Sequence, residues 1–296
     1  MRIQHNITAL NSYRNLKNNN TSVANNLEKL SSGYKINRAG DDAAGLAISE
    51  KMRSQITGLE TAQKNANDGV SLVQTAEGAL TEVHSMLNRM VELATQSANG
   101  TYSSTNRDEM QKEIEQLKTE INRISKTANF NGTTLFSKFT GANAVSTTIT
   151  LSSPAGTTTN SVSGVQVKLH VGEISSTDAQ IIVTLAAMDT ESLGIDGLDI
   201  SDQEEARAAI DKINAAIDAV SSMRSTFGAL QNRLDHTLNN LSVQTENLTA
   251  AESRIRDVDM AEEMMAYTKN NILVQASQAM LAQANQVPQG VLQLLQ

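Results

Sequence analysis

Apolar residues recur three and four positions apart along most of this 296-residue chain, and the breaks in that rhythm mark its organisation. Ile3, Ile7 and Leu10 open the pattern, which shifts near Tyr13 and resumes at Leu16, Val23, Leu27 and Leu30. This predicts a helix stopped by Gly33, since glycine takes the left-handed conformation after a helix at little cost. NRAGDDAAGLA then reads as a loop with Asp41 or Asp42 as N-cap. A second stripe runs through Ile48, Met52, Ile56, Leu59, Ala62, Ala66, Val70, Val73, Leu80, Val83, Leu87, Met90 and Ala94. It predicts one rod-like helix from Ala43 to about Ala98, roughly 80 Å long at 1.5 Å per residue. ANGTYSSTN interrupts it, and Met110, Ile114, Leu117, Ile121, Ile124 and Ala128 predict an antiparallel return helix.

Between Phe130 and about Ile200 the period changes. NFNGTTLF carries turn chemistry, and Thr147 to Leu151, Val165 to Val171 and Ile181 to Leu185 are β-branched runs that predict strands. TITLSSPAGTTTNSVSG, rich in Thr, Ser and Gly, reads as an exposed loop joining them. Helix returns near Ser201, read as an N-cap with Glu204 completing a capping box. Ile210, Ile213, Ile217, Val220, Leu230, Leu234, Leu238, Leu241, Leu248, Ile255 and Val258 carry it onward as a second rod.

The closing stretch QASQAMLAQANQVPQGVLQLLQ has apolar positions at Ala276, Ala279, Met280, Ala284, Val287, Val291, Leu294 and Leu295. A folded-back chain brings this helix beside that of Ile3–Leu30. Against a single partner helix, its apolar burial and backbone hydrogen bonds do no more than offset the lost chain entropy. The two ends are therefore expected to order on assembly, with Ile3, Ile7, Leu10, Leu27, Leu281, Val287, Val291, Leu294 and Leu295 forming a polymerisation interface. The fold class expected is mainly α: long antiparallel helical rods, coiled-coil terminal helices and a small β-hairpin cap in the middle of the chain. The segments are 1–40 and 259–296 for the terminal coiled coil, 41–136 and 201–258 for the rod halves, and 137–200 for the cap.

Composition sharpens this picture. Aromatic residues make up 3% of the chain, there is no Trp and there are two Pro, which suits helices packed side by side better than a large globular core. The formal net charge of −8, with Lys and Arg scattered among carboxylates, argues against nucleic-acid binding. No apolar run reaches the roughly 20 residues needed to cross a bilayer. MRIQHNITALNSYRNL has neither the apolar stretch nor the cleavage site of a secretory signal, so none is expected. Without Cys there is no disulfide or thiolate chemistry.

Several motifs together carry a resemblance. INRAGDDAAGLAISEKM, NDGVSLVQTAEGAL, VELATQSANGT and INRISKTANFNGTTLF occur in the first half, and LGIDGLDI, FGALQNRLDHTLNNL, NLTAAESRIRDVDMAEEM and LAQANQVPQGVLQLLQ in the second. In this order they resemble bacterial flagellin along nearly the whole chain, in a short form with little variable outer domain. The resemblance implies a structural subunit of the extracellular flagellar filament, an open helical homo-oligomer serving motility. It implies type III export without a cleaved signal peptide. Its implied partners are an export chaperone, a cap protein, hook-associated proteins and, in a host, Toll-like receptor 5. The receptor contacts implied are Arg89, Leu93 and Glu113. Met90 and Val91 stand where familiar activators carry Val and Arg, which bears on potency more than on recognition. The same face also suits protofilament packing. The rival readings are a hook–filament junction protein and a discrete coiled-coil interaction module.

Enzymatic chemistry is not expected. Gly40-Asp41-Asp42-Ala43-Ala44-Gly45 lacks the ligand spacing of a calcium loop and reads as a helix cap. His5, His84, His170 and His236 are far apart, and no phosphate-binding loop, nucleophile elbow or HExxH is present, so no metal or cofactor is expected. Met264 and Met265 suit either alternate helix packings or plain core filling.

Overall fold

The computed structural model describes residues 6–137, 144–153 and 156–294, with side chains described for all of these except 144–163 and 287–294. The helices are α1 (Ile7–Ser32), α2 (Ala43–Ser97), α3 (Ser104–Thr127), α4 (Gln203–Arg256) and α5 (Met260–Leu294). The strands are β1 (Asn129–Phe130), β2 (Thr133–Thr134), β3 (Ala144–Ser153), β4 (Gly156–His170) and β5 (Gln180–Ala186), with a short 3₁₀ turn at Thr177–Ala179. The mainly α class with strands in the middle of the chain is thus present. The chain forms two compact units, Gly58–Gln244 and the pair of segments Met1–Thr57 and Thr245–Gln296.

The Gly58–Gln244 unit holds the core. Leu80, Leu87, Met90 and Leu93 of α2 pack with Ile114 and Ile121 of α3 and with Val220, Phe227 and Leu234 of α4. Leu193, Ile195, Leu198 and Ile200, from the irregular LGIDGLDI segment, are buried in the same cluster. A row of polar residues on one face of α3 holds that segment. Gln111 donates to the Leu198 carbonyl at 3.1 Å and accepts from the Ile200 N–H at 3.0 Å. Lys118 donates to the Asp196 carbonyl, Asn122 pairs with Thr190, and Ser125 donates to the Phe136 carbonyl. Buried backbone without regular secondary structure needs such partners, because an unpaired buried polar group is costly.

β1 and β2 form a hairpin whose two turn residues, Asn131 (φ 49°) and Gly132 (φ 79°), both have positive φ. Asn-Gly is the dipeptide that accepts that geometry most readily. β3, β4 and β5 make an antiparallel sheet in that order. In β5, Ile181, Val183 and Leu185 are buried while Ile182 is exposed, the period-2 alternation of a strand with one covered face.

Two sequence expectations are corrected. The Thr/Ser/Gly stretch read as a loop, Thr148 to Gly164, is largely strand: Ala144–Ser153 and Gly156–His170 pair residue for residue, from Ala144 with Val165 to Ser153 with Gly156. Threonine is a good strand former once a partner strand exists, and that pairing is invisible to composition. Nor does Ser201 cap α4. Its hydroxyl and N–H both donate to Asp199, the helix begins at Gln203, and Ala206 N–H bonds the Asp202 carbonyl. The first turn is acidic, with Glu204 and Glu205, as the helix dipole favours.

In the terminal unit α1 and α5 lie antiparallel, with Asn6 Nδ2 donating to the Ala284 carbonyl and Asn19 Nδ2 to Ser277 Oγ. Gly33 (φ 77°) closes α1 by returning its N–H to the Lys29 carbonyl. Between the helices, Val258 N–H bonds the Gly33 carbonyl, Lys35 N–H bonds the Arg256 carbonyl, and the Arg256 guanidinium sits 4.7 Å from the Tyr34 ring and 2.7 Å from Glu50. Asp42 is the cap of α2, its Oδ1 accepting from the Gly45 N–H at 2.9 Å.

Asp41 does something else: its Oδ2 accepts from the Asn37 and Arg38 N–H groups. Those two bonds hold its carboxyl below the usual aspartate range. The stability they supply is therefore fully present above the ordinary aspartate pKa of about 3.9 and is lost as pH falls through Asp41's own lower value. Hydrogen exchange at Asn37 and Arg38 should accelerate in that acid window in the native chain. An Asp41→Asn chain should lose the pH dependence of their protection.

Candidate assembly surfaces

Half-buried positions on α1 include Ala9, Ser12, Leu16, Asn19, Val23, Asn26 and Leu30, and on α5 Glu263, Tyr267, Asn270, Val274, Ser277, Leu281 and Ala284. Both series alternate steps of three and four, the spacing of a coiled-coil seam. Leu16 and Leu30 are in it, but other large apolar residues of α1 are not. Ile7, Leu10, Tyr13 and Leu27 face outward, Leu10 being 73% exposed. On α5, Met265, Ile272, Leu273 and Met280 do the same, as do Met260 and Met264 near its start.

The predicted polymerisation residues thus fall into three groups. Ile7, Leu10 and Leu27 are outward and open, whereas Leu281 lies in the seam against α1. Ile3 and Leu295 lie outside the described residues, as do the side chains of Val287, Val291 and Leu294, whose backbone belongs to α5. The terminal stripe read as one face is in fact two, since Ala276, Ala279 and Met280 are exposed while Leu281 and Ala284 are half-buried toward α1.

In the Gly58–Gln244 unit, Arg89 Nε meets Glu113 Oε1 at 2.9 Å and Arg89 Nη1 meets Glu92 Oε2 at 2.9 Å. Both hydrogen bonds raise the Arg89 pKa, Glu113 contributing more, and leave a fixed guanidinium on an open surface. Arg89 and Glu113 are therefore brought together across α2 and α3. Leu93 is not beside them on that surface: it is 2% exposed and belongs to the core beneath. Glu92 was missed in the sequence, although its i,i+3 spacing from Arg89 is visible there.

The same unit has an open groove of about 820 Å³ between the Val171–Ile181 segment and α4. Leu59, Val171, Ile174, Ile181 and Leu241 line it, with exposed Arg233 and His236 on its rim. Among the described residues, no three His, Cys, Asp or Glu side chains are grouped to hold a metal ion. No helix is long and apolar enough to cross a membrane among the described residues.

Comparison with known proteins agrees with the residue patterns. Residues 3–140 match the bacterial flagellin N-terminal helical region, and residues 210–295 match the bacterial flagellin C-terminal helical region. The chain is 49% identical to a flagellin of Bacillus subtilis (strain 168) and 50% identical to a flagellin of Halalkalibacterium halodurans, each covering 100% of both chains. A solved structure named as a flagellar hook-associated protein, from Vibrio parahaemolyticus, shares the fold at a TM-score of 0.56, with 15% identity over 73% of this chain and 100% of that one. The chain belongs to the bacterial flagellin family, whose members are structural subunits of the extracellular flagellar filament.

Proposed function

We propose that the outward apolar rows of α1 and α5 are the surfaces through which this subunit polymerises, and that the two helices become ordered only as they are buried between neighbours. The observation that carries this is the exposure of Ile7, Leu10, Tyr13, Leu27, Met265, Ile272 and Met280 in a single chain. Rows of large apolar residues open to water are characteristic of a surface awaiting a partner. Because the contacts repeat without closing, they build an open tube. The same rows suit an export chaperone that shields the C-terminal helix before type III export, which would need no cleaved signal. Cap and hook-associated proteins would meet the terminal helices at the two ends of the filament.

On the other unit, the Arg89–Glu113 surface is the proposed contact for Toll-like receptor 5, with Leu93 supporting it from below. The same surface packs subunits together, so free subunits expose it and filaments cover it.

The test is elongation from short filament seeds, followed by light scattering and negative-stain microscopy, with the full chain beside one ending at Asp259. Only the full chain is expected to elongate into tubes. Dimers of fixed size from both would replace the filament reading with that of a discrete interaction module.

A further inference from the structure

β3 and β4 run on together beyond the rest of their sheet. β5 pairs with β4 over residues 164–170, whereas the β3–β4 ladder continues outward from Ala144 and Val165 to Ser153 and Gly156. Residues 146–163 therefore carry a two-stranded ribbon with two open edges. One is the outer edge of β3, and the other is the part of β4, residues 156–163, that β5 leaves unpaired. Among the described residues no other strand joins either edge.

An open edge offers unpaired N–H and C=O groups to any strand that reaches it, and proteins commonly guard such edges with lysine, proline or a bulge. These edges have none of the three. No Lys, Arg, Asp or Glu occurs between Lys138 and Lys168. The one proline in that stretch, Pro154, falls between Ser153 and Gly156, outside the ladder. The register runs residue for residue, so no bulge interrupts it.

We propose that the ribbon pairs from copy to copy in the filament, the β3 edge of one subunit receiving residues 156–163 of the next. The family's filament sets copies of this chain side by side, which makes a second copy the occupant at hand. A contact that repeats without closing joins two unlike surfaces, with every copy pointing the same way. β3 and β4 supply two unlike edges. Because they are antiparallel within one copy, β4 of one copy and β3 of the next also meet antiparallel. Like edges would need a twofold axis, and such a contact closes after two copies. No charge is buried or opposed when these edges meet. The Gly58–Gln244 unit thus gains its own link between subunits, apart from the terminal helices.

The test uses filaments sheared from cells that make two single-cysteine variants, one of them tagged, since the native chain has no cysteine. One carries Thr148→Cys, midway along β3, and the other a cysteine at one position from 157 to 163, scanned in turn. Mild oxidation should give heterodimers at one or two of those positions and not at the rest, because a disulfide needs Cα atoms within about 7 Å. A further chain has residues 146–163 replaced by Asn-Gly, a two-residue turn from Val145 to Gly164 that keeps the β4–β5 pairing. Its free subunit should melt as the native one does. Its filaments should shorten on dilution about tenfold faster or more, the effect of losing two or more net ladder hydrogen bonds. Heterodimers at no scanned position overturn the proposal, as does shortening at the native rate. Thr148→Cys homodimers in place of heterodimers also overturn it, since they mark like edges meeting. The filaments grow on cells, so failure of the α1 and α5 rows as the polymerisation surface would leave this result standing.

Discussion

Ile272→Asp is expected to abolish seeded elongation while leaving the thermal unfolding of the Gly58–Gln244 unit unchanged. Ile272 is 60% exposed in the single chain, so the free subunit has little burial there to lose. The cost arises only when a neighbour covers the position. An unpaired carboxylate enclosed in an apolar contact carries a penalty of several kcal/mol, and a filament repeats it at every subunit. Seam positions offer no escape, because the outward and seam rows lie on different sides of α5. Light scattering after seeding reads the effect directly. Tubes growing at the native rate would show that this row stays in water in the filament, and the assembly surface would have to be sought elsewhere.

The second large effect separates two ways in which a residue can serve the Arg89 surface. Leu93→Ala removes a side chain sealed against the core and is expected to destabilise its unit by about 2–5 kcal/mol, through lost burial and the cavity left behind. The melting temperature should fall by several degrees. Arg89→Ala should leave the melting temperature almost unchanged, since exposed ion pairs contribute little. Its expected loss is in affinity for the Toll-like receptor 5 ectodomain, titrated against free subunit. If Leu93→Ala leaves unfolding untouched and weakens the receptor as Arg89→Ala does, Leu93 is itself at the contact. If Arg89→Ala leaves affinity unchanged, the ion pair is packing chemistry between subunits and nothing more.

The largest legible features were those whose cause is local. Helix existence came from apolar spacing, the end of α1 from Gly33 and the start of α2 from the Asp41–Asp42 pair, of which the structure uses Asp42, because periodicity and caps depend on residues within a turn or two. The Asn131-Gly132 turn was equally readable, since its dipeptide dictates its backbone. Beyond the strand expected at Thr147–Leu151, the stretch to Gly164 was misread as loop because a strand exists only by virtue of the strand beside it. The α4 cap slipped because Asp199 competes for the Ser201 hydroxyl, a local bond that spacing rules do not weigh.

By itself, then, the order of residues determined that this is a chain of long helices, where most of them stop, and that its ends carry more apolar surface than one partner covers. Only the tertiary structure decided how that surface is divided. Placing α1 against α5 turned Asn19, Asn26 and Ser277 inward beside Leu16, Leu30 and Leu281 and left Ile7, Leu10 and Ile272 outside, a division that hydrophobicity alone does not give. It also placed Arg89 beside Glu113 and sent Leu93 beneath them, although Arg89 and Leu93 are four residues apart on one helix. The reason is geometric. A helix offers several faces at once, and which of them meets a neighbour is settled by the packing of distant segments, not by the spacing within one.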